Sequence, residues 1–229
     1  MLRSFIIVIL VLVSLEAGTK KDGLAYLNDI RAHAGLIPLK PNKALEKAAN
    51  AHAKYLIQNQ YNGHYQKKGK YAFTGTTPAM RVVRAGYPAK YVMENLSINT
   101  EGYVKSVDNL FSAIYHRFVF LNLDKDEIGF GSALSKKKRK IKRAYVYDMS
   151  TSGIAELCKK TFTLAHGVYY MKNVCKDSEK MVPRALFEEK FKLTYGTEPH
   201  KLAQLSYDAV AMVAMLVRMH EHNPFSKTP

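Results

Sequence analysis

Tryptophan is absent, cysteine occurs twice, and basic side chains outnumber acidic ones 35 to 19. Each shortage narrows the reading. Cys158 and Cys175 have one histidine between them, His166, and that falls short of a structural zinc cluster. No cysteine follows the apolar N-terminal run, which speaks against a lipidated anchor. FTGTTP (residues 73–78) lacks the lysine and flanking strand of a phosphate-binding loop and reads as a turn and helix cap. TSG (151–153) lacks the glycine before the serine that a nucleophile elbow needs. Without tryptophan, an apolar groove would be lined by tyrosine and phenylalanine.

The one long apolar run lies at the N-terminus. Phe5–Leu15 is broken only by Ser14, follows Arg3, and precedes the small residues Ala17 and Gly18. It is shorter than the roughly 20 apolar residues of a membrane span. It therefore predicts a signal peptide over residues 1–18 and a periplasmic or secreted protein, not integral to a membrane after cleavage. An uncleaved N-terminal anchor is the alternative. In an oxidising compartment, Cys158 and Cys175 are expected to form one disulfide.

The net charge of +16 is concentrated in KK (20–21), KKGK (67–70) and SKKKRKIKR (135–143). Export argues against nucleic acid as the partner, and the last run lacks the interleaved aromatics that stack bases. Two readings stay open. One is a solvated hairpin loop; the other is attraction to an anionic envelope polymer or lipid headgroups.

Periodicity predicts helices over 22–35, capped by Asp22, and over 42–59, capped by Asn42. A third runs from Pro78, behind the cap Thr77, to Gly86, and a fourth covers 103–118. YVMENLSIN has strand composition, and EIGFGSALS and RAYVYDMS read as a hairpin around the basic run. The order is that of an α+β protein. Residues 154–183 carry the cysteine pair. Two further helices are expected in 184–222, the second apolar almost all round between Ala209 and Val217. His52 falls on the core side of the second helix and reads as a packing histidine.

Six stretches occur in an order that resembles one family: LNDIRAHAGLIPLKPNKALEKAANAHAKYL, GHY, FTGTTPAMRVVRAGY, ENLS, AIYHRF and EIGFG. Together they are similar to the CAP superfamily, the cysteine-rich secretory/antigen 5/pathogenesis-related-1 type of extracellular domain, in its bacterial SCP-like form, over about residues 22–150. The resemblance implies an α-β-α sandwich for 19–153; beyond it the sequence itself gives a disulfide-bearing extension (154–183) and a helical tail (184–229). The resemblance also implies a cleft lined by two histidines and two acidic residues. His64 matches the first histidine and His116 the second. Glu94 matches the glutamate of the family's Gly-Glu-Asn stretch, with Met93 in place of glycine. The second glutamate has no clear match; Asp108 and Ser112 lie where it would fall.

Two imidazoles with a carboxylate could hold a divalent metal such as zinc, with His64 and His116 as ligands, or carry out acid–base chemistry. The expected function is an extracellular module binding a lipid, another ligand or a protein partner. The alternative is a metal- or histidine-dependent hydrolase of the envelope. FEEKFKLTYGTEPHKLAQLSYDAVAMVAMLV also resembles a C-terminal segment of type I periplasmic binding proteins, whose two-lobed site this chain lacks.

Overall fold

The structure, a computed structural model, describes residues 19–194, with side chains to residue 190. The N-terminal run, the apolar tail helix and most of the segment resembling periplasmic binding proteins lie outside them. Seven helices and six strands follow in the described residues. They are α1 (Lys20–His33), β1 (Lys40–Pro41), α2 (Lys43–Asn59), α3 (Pro78–Arg84), β2 (Val92–Ile98), α4 (Tyr103–Ser112) and α5 (Ile114–Phe120), then β3 (Glu127–Leu134), β4 (Arg143–Ser150), α6 (Ser152–Lys159), β5 (Tyr170–Met171), β6 (Val182–Pro183) and α7 (Arg184–Thr194).

Three expectations need correction. The cap of α1 is Thr19, not Asp22: the Asp22 amide donates to the Thr19 hydroxyl and the Asp22 carboxylate accepts from the Thr19 amide, a reciprocal capping box. The helix expected over 103–118 is two helices, broken where Ala113 is extended. The break leaves few carbonyls unmet, because Ser112 Oγ donates to Asn109 O and Arg117 Nε donates to Phe111 O. Strand β1 appears between the first two helices, where the sequence predicts no strand. It is two residues long and contains proline, so it carries no alternation to read.

The main sheet has the order β1-β3-β4-β2, so β2 is an edge strand. β3 and β4 form the expected hairpin, and β2 pairs antiparallel with β4. Strand parity divides the sheet. Ile128, Phe130, Tyr145, Tyr147 and Met149 pack against Leu27 of α1, Val107 and Leu110 of α4, and Phe120 of α5. The alternate residues Ala144 and Val146 pack against Ala49, Ala53 and Leu56 of α2. Helices thus cover both faces, giving the expected α+β, α-β-α sandwich. Glycines let α2 lie directly on the sheet. A Cβ on Gly129 would sit 2.1 Å from the Leu45 carbonyl carbon, and one on Gly131 would sit 2.2 Å from that of Ala49.

The extension continues this core. Ile154, Leu157, Cys158, Val174, Cys175 and Val182 share a cluster with Leu45, Val82, Tyr87 and Ala89. Cys158 and Cys175 are disulfide-bonded. The Lys90 amide donates to Val174 O at 2.8 Å and the Lys176 amide to Pro88 O at 2.7 Å, fastening the second cysteine to the segment before β2.

Candidate binding site at the edge of the sheet

Glu94 sits in the middle of β2, and its parity turns it toward the α2 and α3 side. Its side chain is buried and both carboxylate oxygens are engaged. Arg81 Nη2 of α3 donates to Oε2 at 2.6 Å, and His64 Nδ1 meets Oε1 at 2.9 Å. Burial would raise the Glu94 pKa. The hydrogen bond from His64 and the charges around it outweigh that and hold the carboxyl below its ordinary value.

Arg81 also positions the loop that carries His64. Its Nη1 donates to His64 O at 2.9 Å and reaches the carbonyls of Gly75 and Thr76, both at 3.4 Å. One buried guanidinium thus neutralises Glu94 and pins both ends of the 60–76 loop.

His52 lies beneath. The Thr74 amide donates to Gln66 Oε1 at 2.7 Å, which leaves Gln66 Nε2 to donate to His52 Nδ1 at 2.9 Å. His52 Nε2 then donates to Gly63 O at 3.1 Å, and the chain of donors fixes the neutral tautomer. Burial pushes its pKa down to about 4, although the Glu94 charge opposes this. Its 3.6 Å approach to Glu94 is therefore a contact of a neutral ring at pH 7.

Asp148 is the cross-strand neighbour of Glu94. It is fully buried, and among the described residues neither carboxyl oxygen has a hydrogen-bond partner. Burial first, and the Glu94 charge second, push its pKa well above the ordinary carboxylate range. It sits where Ala144 and Val146 mark the core-facing parity of β4.

His116 comes to the β2 edge from the other face. Its carbonyl accepts a 2.8 Å hydrogen bond from Asn95 Nδ2, while its own Nδ1 is buried with no partner among the described residues. Burial and the neighbouring His64 lower its pKa. Asp108 points elsewhere: it is exposed and accepts from Tyr26 of α1 at 3.2 Å. Ser112 is exposed and bonds within α4.

The structure thus joins His64 to Glu94 and brings His116 to the same strand edge, where the His64 charge bears on it. The sequence does not single out Arg81, Gln66 or Asp148, and the period of α2 marks His52 only as core. The signals were present but weak: an arginine on a short helix, and an acid on a core-facing strand position.

As a metal centre the set is short of donors. Among the described residues, no group of three or more His, Cys, Asp or Glu side chains is arranged to hold a metal ion. Glu94 is occupied by Arg81 and His64, which leaves the two imidazoles. The residues present do not fit a resident metal.

The sandwich and this site meet a family comparison. The model of the cysteine-rich secretory protein family, CAP, matches residues 24–149. The chain belongs to the CAP family. Among solved structures similar to it, an extracellular SCP-domain protein from Bacillus anthracis str. Ames is 20% identical with a TM-score of 0.49, the match covering 57% of this chain and 39% of that one. An outer surface protein from Borrelia burgdorferi is 24% identical with a TM-score of 0.48, covering 58% and 95% respectively. The chain spans well under half of the Bacillus protein. No curated protein matches the chain. No helix among the described residues of this CAP protein is long and apolar enough to cross a membrane.

Proposed function

We propose that the chain is an exported CAP-family binding module, and that His64 and His116 are the groups that meet its ligand at the β2 edge. The observation that carries the reading is the 2.9 Å contact of His64 Nδ1 with Glu94. The carboxylate accepts from Nδ1 and so orients the ring, leaving its Nε2 edge for a ligand, on a side chain 40% exposed. The ligand is one with a hydrogen-bonding head group, such as a lipid or a partner's polar side chain. A divalent ion such as zinc enters only as an exchangeable guest of two imidazoles. The disulfide supports export, since such bonds persist in oxidising compartments.

The hydrolase reading is weaker. A buried Glu94 held by Arg81 is a fixed anion, not a mobile acid, and Asp108 faces α1. Among the described residues, no serine, threonine or cysteine side chain hydrogen-bonds to His64, so an oriented base has no nucleophile beside it.

The test is native mass spectrometry of the chain recovered from an oxidising compartment, with and without added zinc. Wild type is compared with His64→Ala/His116→Ala. We expect a retained ligand mass, or zinc adduct, that the double variant loses. Equal retention by both proteins overturns the reading.

A further inference from the structure

Two basic runs, some seventy residues apart in the chain, meet at the C-terminal end of α2. The first is KKGK (67–70), on the loop that carries His64. The second is KKKRKIKR (136–143), in the turn between β3 and β4. The last turn of α2 ties both down. Asn59 Nδ2 donates to Tyr71 O at 2.9 Å, next to Lys70. Arg139 Nη1 donates to Gln58 O at 3.2 Å. Gln60 Nε2 donates to Ile141 O at 3.1 Å, and Gln60 Oε1 accepts from the Ile141 amide at 2.9 Å.

The resulting surface is exposed and uncompensated. Lys67, Lys68 and Lys70 are exposed, as are Lys136–Lys138, Lys140 and Lys142. Among the described residues, none of these lysines pairs with a carboxylate; Arg143 alone does so, with Glu101 at 3.4 Å. Ile141, the one apolar residue of the second run, is turned into the core at 4% exposure. The turn therefore presents cations and offers no apolar wedge.

We propose that these two runs form one docking surface for an extended polyanionic polysaccharide. Single exposed cations bind anions weakly in water. A chain of linked anions engages many of them at once, and each contact raises the effective concentration of the next. Tyr71, exposed beside Lys70, offers a flat face to a sugar ring. An anionic membrane also attracts lysine clusters, but stable docking adds an inserted apolar group. Among the described residues of the turn and its flanks, Leu134 is the exposed large apolar side chain, and it stands alone. The surface uses none of the side chains of the His64–Glu94 contact and does not depend on its ligand.

Heparin binding by the full chain tests this at physiological and raised salt, with phosphatidylserine/phosphatidylcholine vesicles as the second arm. The variants are K67Q/K68Q/K70Q, K136Q/K137Q/K138Q, and a control of equal charge, K43Q/K105Q/K160Q, with thermal melts to verify folding. We expect salt-sensitive heparin binding that each loop variant weakens about tenfold, and that the control leaves within about threefold. His64→Ala/His116→Ala should bind heparin like wild type. The proposal is overturned if the control loses as much as the loop variants, if vesicles bind and heparin does not, or if the histidine variant loses heparin.

Discussion

Glu94 is an anion held inside the sandwich by one guanidinium, and that arrangement is asymmetric. Removing the partner leaves the charge buried, which costs far more than the pair contributes. Arg81→Met should lower unfolding free energy by about 3–5 kcal/mol in urea titrations. Arg81→Lys should not rescue it, because a single ammonium cannot reach Glu94 and the His64 carbonyl together. His52 sets an acid limit. Its folded pKa of about 4 lies below the ordinary 6.5, so the unfolded chain binds the proton more readily between those values. The stability that depends on neutral His52 is complete above pH 6.5 and is lost as pH falls from there through about 4, by about 3 kcal/mol in all. Denaturation midpoints measured across that window should fall, and His52→Gln should flatten the slope. Neither residue's role was visible from composition. The family resemblance pointed to His64, Glu94 and His116, yet Arg81 and His52 lie under them and became legible only with the burial in view.

The decisive contact among the elements is α2 on the β3–β4 hairpin. EIGFG supplies glycine at both positions where β3 meets the α2 backbone, so the helix packs closer than any side chain would allow. Gly129→Ala should cost about 3 kcal/mol or more, as overpacking against backbone that cannot turn aside, read as a lowered melting temperature. The hairpin, α2 and α3 were readable from period and caps, because Asn42 and Thr77 each accept from amides of the first turn. The split between α4 and α5 was not. The apolar spacing runs on through Ala113, and the break is held by the Arg117 and Ser112 side chains.

For the whole molecule, residues 154–183 complete the core that the sandwich begins. Ile154, Leu157 and Val182 cover Val82 and Ala89, and the disulfide closes the segment over a separation of 17 residues. A loop of this length is worth about 3 kcal/mol in chain-entropy terms. Cys158→Ser/Cys175→Ser should lose about that much in chemical denaturation, and reduction of the wild-type protein should approach the same value. The positive charge behaves differently at this scale. It is spread along the sequence as runs, and folding gathers two of them onto one surface.

Local chemistry in the sequence determined the caps, the strand alternation, the cysteine pairing and the α+β order, because each depends on neighbours a few residues away or on composition. Tertiary structure alone decided that Arg81 meets Glu94, that Asp148 lies buried across from it, and that residues 67–70 and 136–143 share the end of α2. Those depend on strand register and on which faces are buried, and no spacing along the chain encodes the distance between side chains brought together by packing.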